Sequence, residues 1–280
     1  IDVLRGSAAM LFGRGQAGGV INRVSKQPGL VDHTTVSTTV GSYAYRRVTA
    51  DTNKVLGENT ALRITAMKTD ANSSRKGVET DREGLAPTLR WGIGTADEFM
   101  LGYLYLYTHN VPDYGVPFFN HRPLDVPASR FYGTSKDYEN NRTNMSTGTY
   151  IHRFSPDTEL KTVLRFADYD RDLWAVAPRL AAGTTVVTDA TLITRGRQAR
   201  GGTESTITSQ TDLSTRFPTG PLKHEALVGF EWLKEKASRW SYNALANSTA
   251  GSTTVGDPDT HAGIPVNYGN RVRNAVASYE

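Results

Sequence analysis

The chain has 280 residues, of which 38% are hydrophobic and none is cysteine, and its formal net charge is +4. The absence of cysteine excludes disulfides and thiolate sites, and the interspersed charges exclude the clustered basic surface of a nucleic-acid-binding protein. No apolar stretch approaches the length of a membrane-spanning helix, which excludes helical membrane proteins but leaves transmembrane strands, whose lipid-facing residues alternate with others.

Residues 3–28 form the first distinctive segment, with the sequence VLRGSAAMLFGRGQAGGVINRVSKQP. Its glycines lie among β-branched residues and arginines, and they indicate tight turns and close approach of backbones. The run 20–24 that follows them has the composition of a strand. The turn glycines are Gly6, Gly13, Gly15, Gly18 and Gly19.

Residues 13–18 also match the dinucleotide-binding pattern G-x-G-x-x-G. That pattern binds a pyrophosphate only where it joins a strand to the first turn of a helix. The segment that follows here, 19–25, contains three β-branched residues, Val20, Ile21 and Val24, and is unsuited to opening a helix. We therefore interpret these glycines as turn and packing residues.

The segment resembles the C-terminal part of the plug domain of TonB-dependent outer-membrane siderophore receptors. The family pattern contains VLRGP, YGRG and GGVIN in this order, then a basic strand and a proline. The chain departs from it at Ser7 and Phe12, where the family prefers proline and tyrosine, but every glycine is retained. The resemblance implies that residues 1–29 end a plug domain and that 30–280 begin a transmembrane barrel.

Beyond residue 28, apolar and polar residues alternate over long segments. In 205–217, Ile207, Leu213 and Phe217 share one face, while the opposite face is uniformly polar. Such alternation predicts half-buried strands, and it recurs at 62–66, 160–166 and 226–232. Strands of this length with one polar face are typical of a barrel with a wet lumen and a lipid-facing exterior.

The predicted connections alternate between compact turns and long loops. Short turns on one end and long loops on the other are typical of bacterial outer-membrane barrels, where they are periplasmic and extracellular respectively. The turns are predicted at 57–60, 95–98, 155–158 and 218–221, and the loops at 73–82, 111–141, 174–202 and 240–269.

The predicted fold is therefore all-β: about ten antiparallel strands in an open, curved sheet, preceded by the end of a plug. The resembling receptors close their barrel with 22 strands, so about ten of these are expected here. We expect the chain to be an interior fragment, since it starts without methionine and ends in mid-pattern. The strands are predicted near 34–41, 44–56, 60–72, 83–94, 98–110, 142–154, 158–172, 203–217, 224–239 and 270–280.

The loop 111–141 is the predicted ligand-binding segment. Its core, PDYGVP at 112–117, resembles the corresponding extracellular loop of siderophore receptors. Aromatic rings offer flat faces for chelate rings, and arginine offers donors and charge for an anionic ferric complex. The alternative is that the aromatic residues pack the loop, while Trp174, with Trp240 and Tyr242, belongs to an aromatic girdle. The candidate contacts are Tyr114, Phe118, Phe119, Arg122, Arg130 and Trp174.

The arginines of the plug segment need partners inside a lumen, because an unpaired buried charge is costly. The resemblance implies pairing between Arg5, Arg14 or Arg23 and carboxylates of the wall. Arg14 with Glu231 is the first candidate pair, and solvation without specific pairing is the alternative.

No arrangement of catalytic residues is present in the sequence, and the six histidines lack metal-ligand spacing. We therefore expect neither an enzyme nor a resident cofactor or metal. The resemblance implies that iron is carried as a ferric siderophore complex.

The resemblance implies a receptor in the outer membrane of a Gram-negative bacterium, which imports a ferric siderophore and contacts lipid. It also implies energy coupling by the TonB–ExbB–ExbD complex through a segment that lies before residue 1. A receptor for another nutrient, such as vitamin B12 or an oligosaccharide, stays open as an alternative. A passive porin or an adhesin is disfavoured, since neither has a plug.

Overall fold

The structure, a computed structural model, describes residues 2–5, 19–22, 24–242, 251–261 and 271–279. All regular secondary structure in these ranges is β-strand. Within them, no helix has the length and hydropathy that crossing a bilayer requires.

The strands divide into one large sheet and two small ones. β1 pairs with β2 and β8 pairs with β9, each as a two-stranded antiparallel sheet. The bounds are β1 Asp2–Arg5, β2 Gly19–Asn22, β3 His33–Val40, β4 Arg46–Gly57, β5 Thr60–Asn72, β6 Glu79–Trp91, β7 Asp97–Asn110, β8 Phe118–Phe119, β9 Arg122–Pro123, β10 Tyr138–Ser155, β11 Thr158–Leu180, β12 Leu192–Thr219, β13 Leu222–Tyr242, β14 Thr253–Thr254 and β15 Arg271–Tyr279.

The large sheet runs in the order β15-β13-β12-β11-β10-β7-β6-β5-β4-β3, with β14 attached to β12. Every pair in this order is antiparallel, and the order follows the chain. The sequence-based prediction of ten antiparallel strands is confirmed. Because each strand reverses direction, the compact turns lie together at one end of the sheet, the short-turn end. The longer connections lie at the opposite, long-loop end.

The sheet has two chemically distinct faces. Residues 24–31 cross one of them, which we call the inner face, and contact Asp51, Asn53 and Arg63 there. Residues opposite one another in the ladder share a face, so the inner face can be followed from strand to strand. It carries even-numbered residues on β6, β7 and β12, and odd-numbered ones on β4, β5, β10, β11 and β13.

The opposite, outer face is predominantly apolar between the two ends of the sheet, although Ser146, Ser209 and Thr211 also lie on it. On β13, for example, Ala226, Val228, Phe230 and Trp232 point outward, whereas Lys234 is the next outer residue. At the short-turn end this face carries a row of stacked aromatic rings. Ring centroids are 5.3 Å apart in Trp91–Phe99, 4.8 Å in Phe99–Tyr150 and 5.1 Å in Phe217–His224.

Two predicted loops contain more strand than the sequence indicated. β11 extends to Leu180 and β12 begins at Leu192, so the predicted loop 174–202 shortens to 181–191. Residues 172–177 are buried on both faces, and the two-residue alternation that identifies a half-buried strand is lost there. The predicted loop 111–141 contains the β8–β9 hairpin, whose turn at Asn120 and His121 has positive φ angles of 49° and 63°.

Candidate functional site

The connections at the long-loop end pack together into one layer. Tyr132, Ile193 and Val255 form its buried centre, although they come from three distant parts of the chain. Half-buried residues from the same connections surround this centre. These are Val116, Leu124, Val126, Leu180 and Val187. The loop layer is therefore a folded unit with its own small core.

Hydrogen bonds from arginines to backbone carbonyls join the segments of the loop layer. Arg130 donates from Nη1 to the carbonyl of Val255 at 2.9 Å. Arg195 donates from Nε to the carbonyl of Tyr132 at 3.0 Å and from Nη2 to that of Asp259 at 2.6 Å. At the rim, Arg75 pairs with Asp113 at 2.6 Å, which ties the β5–β6 connection to the predicted ligand loop.

Asp137 is a buried carboxylate at the base of this layer. It accepts hydrogen bonds from the hydroxyl of Thr134 and, at 3.2 Å, from the amide of Val176. Burial raises the pKa of Asp137 from 3.8 to about 6, because the charged form loses hydration and these hydrogen bonds restore only part of it. Sequence patterns did not identify Asp137, since nothing local marks a carboxylate that becomes buried by distant segments.

A second polar group joins β10, β11, β13 and β15 near the long-loop end. It is centred on Asp172 of β11, which also accepts a hydrogen bond from the hydroxyl of Tyr138 on β10 at 3.3 Å. The hydroxyl of Tyr242 donates to Asp172 at 2.7 Å, and Arg271 pairs with the same carboxylate at 2.7 Å. The guanidinium of Arg271 also lies 5.2 Å from the ring centroid of Trp240, which is a cation–π distance. Trp240 and Tyr242 therefore act in packing at the long-loop end.

Four of the predicted ligand contacts lie on accessible parts of the loop layer. The side chain of Tyr114 is 40% exposed and that of Phe118 is 68% exposed. Phe119 is half-buried, and Arg122, its partner across the β8–β9 hairpin, is exposed. A contact of these residues with a ligand stays a prediction.

The other two predicted contacts, Trp174 and Arg130, belong to the packed interior of the long-loop end. Trp174 is 0% exposed, so no face of its ring is open to a ligand or to lipid. This burial removes Trp174 from both the ligand contacts and the girdle, which corrects the sequence-based expectation. Arg130 is held by the Val255 carbonyl and lies 4.0 Å from Asp189, so its donors already serve the loop layer.

The inner face near the long-loop end carries arginines that sequence analysis did not select. Arg171 on β11 and Arg239 on β13 lie on either side of Gly202, which is opposite both of them in the ladder. Arg200 lies one inner-face position further along β12. Arg171 pairs with Glu139 at 2.5 Å, whereas Arg200 and Arg239 are exposed and have no ion pair among the described residues. These three residues form a positively charged strip, the arginine strip, on three adjacent strands.

The alternation of apolar and polar residues along β12 and β13 places Arg200 and Arg239 on the polar face, so the sequence alone indicates the face on which they lie. The strip itself could not be predicted, because arginines separated by 29 to 68 positions become adjacent only once the register of the strands is known.

The predicted contacts of the plug segment fall mostly outside the described residues. Arg14, Arg23, Gly6, Gly13, Gly15 and Gly18 lie outside them, and so does the side chain of Arg5. Gly19 begins β2 with φ 134° and is opposite Arg5. Glu231 is exposed on the inner face of β13, opposite Gln210, and the pair Arg14–Glu231 stays a prediction.

The described contacts between the segment and the wall are made by residues 26–31. Lys26 pairs with Asp51 at 2.6 Å, and Asp51 also pairs with Arg63 at 2.7 Å. A cavity of about 420 Å³ lies beside this segment on the inner face, bordered by Val24, Thr88, Met100, Met145 and Val163. Among the described residues, no three His, Cys, Asp or Glu side chains are grouped as metal ligands.

Comparison with known proteins relates the chain to siderophore receptors and TonB-dependent receptors. The chain is 27% identical over 281 residues to the catecholate siderophore receptor Fiu of Escherichia coli K12, covering 93% of this chain and 36% of the relative. It is 31% identical over 288 residues to the probable TonB-dependent receptor BfrD of Bordetella pertussis, covering 95% of this chain and 38% of the relative. The chain thus spans little more than a third of these relatives. No family model matches it.

The fold agrees with this relationship. The crystal structure of the ferric-catecholate import receptor Fiu from E. coli K12, in its open form, superposes with a TM-score of 0.88 at 28% identity. The superposition covers 99% of this chain and 44% of that receptor. The names of these relatives describe receptors and not enzymes.

The raised pKa of Asp137 predicts that the loop layer loses stability as pH rises. Between about pH 4 and about pH 6 the folded form holds a proton that the unfolded form has released, so the opening free energy falls through this window. The difference between the folded and the unfolded pKa corresponds to a loss of about 3 kcal/mol in the opening free energy across this window. Hydrogen exchange at the amide of Val176, corrected for the intrinsic rate, measures this loss.

Asp137→Asn should abolish the pH dependence, because the amide carries no titrating proton. Asp125→Asn, which changes an exposed carboxylate of the same loop, is the matched control and should retain it. An equal pH dependence in the Asp137→Asn variant would show that another group is responsible.

Proposed function

Since the chain is homologous over most of its length to TonB-dependent siderophore receptors, we propose that it is the end of the plug and the first ten barrel strands of such a receptor. The complete receptor would bind a ferric siderophore at the cell surface and import it across the outer membrane. The homology to Fiu in both sequence and fold carries this proposal, and it favours a catecholate as the siderophore class.

The dimensions of the outer face support a location in the outer membrane. From Leu222 to Trp232, β13 presents apolar residues outward with the exception of His224, and Lys234 follows. Ten residues at about 3.4 Å each, tilted by about 40°, rise about 26 Å, close to the apolar band of about 25 Å in transmembrane barrels. The aromatic row at Trp91–Phe99–Tyr150 would lie at the periplasmic boundary of this band.

The charge of the inner face supports capture of an anionic chelate. Arg200 and Arg239 are exposed near the long-loop end, where an incoming ligand would first meet the wall. Guanidinium groups donate charge-assisted hydrogen bonds to the oxygens of catecholate or carboxylate groups. Tyr114 and Phe118 of the loop layer would offer ring faces to the chelate. Iron would enter inside the complex as cargo, and the protein would need no resident metal.

The proposed division of the chain is a plug in residues 1–29 and a wall in residues 30–280. The TonB–ExbB–ExbD complex would act on a part of the receptor outside this chain and displace the plug. Lipid would contact the outer face. No catalytic step is required, because the chelate crosses the membrane unchanged.

A receptor of the same architecture for another nutrient is the second candidate, since the loop residues that select a ligand vary most between receptors. The exposed arginines favour an anionic ligand over neutral oligosaccharides. A passive porin or an adhesin is disfavoured by the homology to TonB-dependent receptors.

The first prediction of this proposal concerns uptake. Cells that express the full-length gene should accumulate iron supplied as a labelled ferric catecholate, and a strain without TonB should not, because plug displacement needs energy input. Accumulation that is independent of TonB, or absence of accumulation with every ferric siderophore tested, would contradict the proposal.

The second prediction concerns the lipid-facing side. Val228→Arg should reduce the free energy of folding into phospholipid vesicles by about 2–4 kcal/mol, because it brings a charge to the middle of the bilayer. The adjacent Leu227→Arg is the control, since Leu227 lies on the inner face although the two side chains are similarly exposed, at 60% and 67%. Urea titration of the full-length receptor measures both, and equal losses would contradict the assignment of the faces.

The third prediction concerns the arginine strip. Arg200→Ala and Arg239→Ala should each weaken binding of a ferric catecholate by about ten- to 150-fold, since a hydrogen bond to a charged group contributes about 1.5–3 kcal/mol. Arg216→Ala changes an inner-face arginine at the short-turn end, paired with Glu225 at 3.2 Å, and should leave affinity unchanged. Unchanged affinity in the first two variants would exclude the strip as a ligand contact.

A further inference from the structure

The segment that leaves the plug is held on the wall by a regular set of hydrogen bonds. Residues 24–29 form no ladder with a strand, so their backbone groups need other partners. Side chains of the three adjacent strands β4, β5 and β6 donate hydrogen bonds to four carbonyls of the segment. Arg63 donates to Gln27 at 3.0 Å, Arg90 donates to Pro28 at 3.1 Å, and Asn53 donates to Gly29 and Val31 at 2.7 and 2.8 Å. We call this set the carbonyl clamp.

Asn53 is the centre of the clamp. Its side chain is 2% exposed, and its amide oxygen also accepts a hydrogen bond from the backbone N–H of Gly29 at 3.0 Å. One side-chain amide therefore binds both the N–H and the C=O of Gly29, as the backbone of a neighbouring strand would do. The ring of Pro28 is fully buried beside it.

Carboxylates of the wall hold the two arginines of the clamp in position. Asp51 binds Arg63 through two bonds, Nε–Oδ1 at 2.8 Å and Nη2–Oδ2 at 2.7 Å. Glu98 binds Arg90 at 2.7 Å and lies 3.2 Å from Arg153, which in turn pairs with Glu159. The donors are thus oriented before the segment binds, and the load on them is spread over β4 to β11.

We propose that the carbonyl clamp is a mechanical stop that holds residues 27–31 on the wall while the chain before them is displaced during transport. This inference rests on the proposed function, since only a plug that is moved requires a fixed end. The four carbonyls lie within residues 27–31, so a force along the segment meets all four bonds within a short length of chain. The stop acts on backbone atoms, so it tolerates changes in most of the side chains of the segment.

The test is to pull the purified full-length receptor from its N-terminus in a lipid bilayer by single-molecule force spectroscopy. The native receptor should give a final rupture, at the extension that corresponds to residues 27–31, before the wall unfolds. The triple variant Asn53→Ala, Arg63→Ala, Arg90→Ala should lose this rupture. Asn53→Asp retains the volume and the acceptor but removes both donors, so it should lower the rupture force even if the triple variant fails to fold. Arg216→Ala should behave as the native receptor.

An unchanged final rupture in Asn53→Asp would overturn the clamp, whatever the ligand of the receptor is. Transport gives a second readout, because the clamp lies at the short-turn end and the arginine strip at the other. Clamp variants should bind a ferric catecholate with native affinity and show reduced TonB-dependent uptake, and loss of affinity equal to the loss of uptake would contradict a mechanical role. No uptake by the native receptor would refute the proposed function, while the force measurement would still decide the clamp.

Discussion

The two-residue alternation of an antiparallel strand is the constraint on which the rest of this molecule depends. Each strand of the large sheet sends successive side chains to opposite faces, and the regular register carries that division across ten strands. One face can therefore be apolar along β13 while the other carries Glu231 and Arg239. A shift of one residue in any pair would exchange the faces, and within the described residues six of the nine ladders that join these ten strands contain no register shift.

The two ends of the strands carry different structural features. At the short-turn end, stacked rings cover the outer face and the carbonyl clamp occupies the inner face. At the long-loop end, packed connections and inner-face arginines surround the place where a ligand would arrive. The proposed sites of ligand capture and of plug retention therefore lie at opposite ends of the strands, so we expect mutations to affect one without the other.

Buried polar groups have the same role in the two regions, which is to bind backbone groups that lack a partner strand. In the loop layer, Asp137 binds the amide of Val176, where β11 extends beyond its ladder with β10, and Arg195 binds the carbonyl of Tyr132 in an irregular segment. In the clamp, Arg63 and Arg90 bind carbonyls while carboxylates fix their orientation. In both cases a charged side chain replaces the partner strand that the backbone lacks, and removing it would leave several buried groups unsatisfied.

The sequence by itself determined the existence and order of the ten strands, their alternating faces and the sorting of turns and loops, because these follow from local periodicity and turn chemistry. It did not determine the extension of β11 and β12 into the predicted loop 174–202, where both faces are buried and the alternation is lost. It also determined the resemblance of the plug segment, since closely spaced glycines are a local pattern. Only the tertiary structure decided that Trp174 is buried, that Arg200 and Arg239 join Arg171, and that Asn53 binds Gly29. These facts depend on register and on contacts between residues far apart in the chain, which local patterns do not encode.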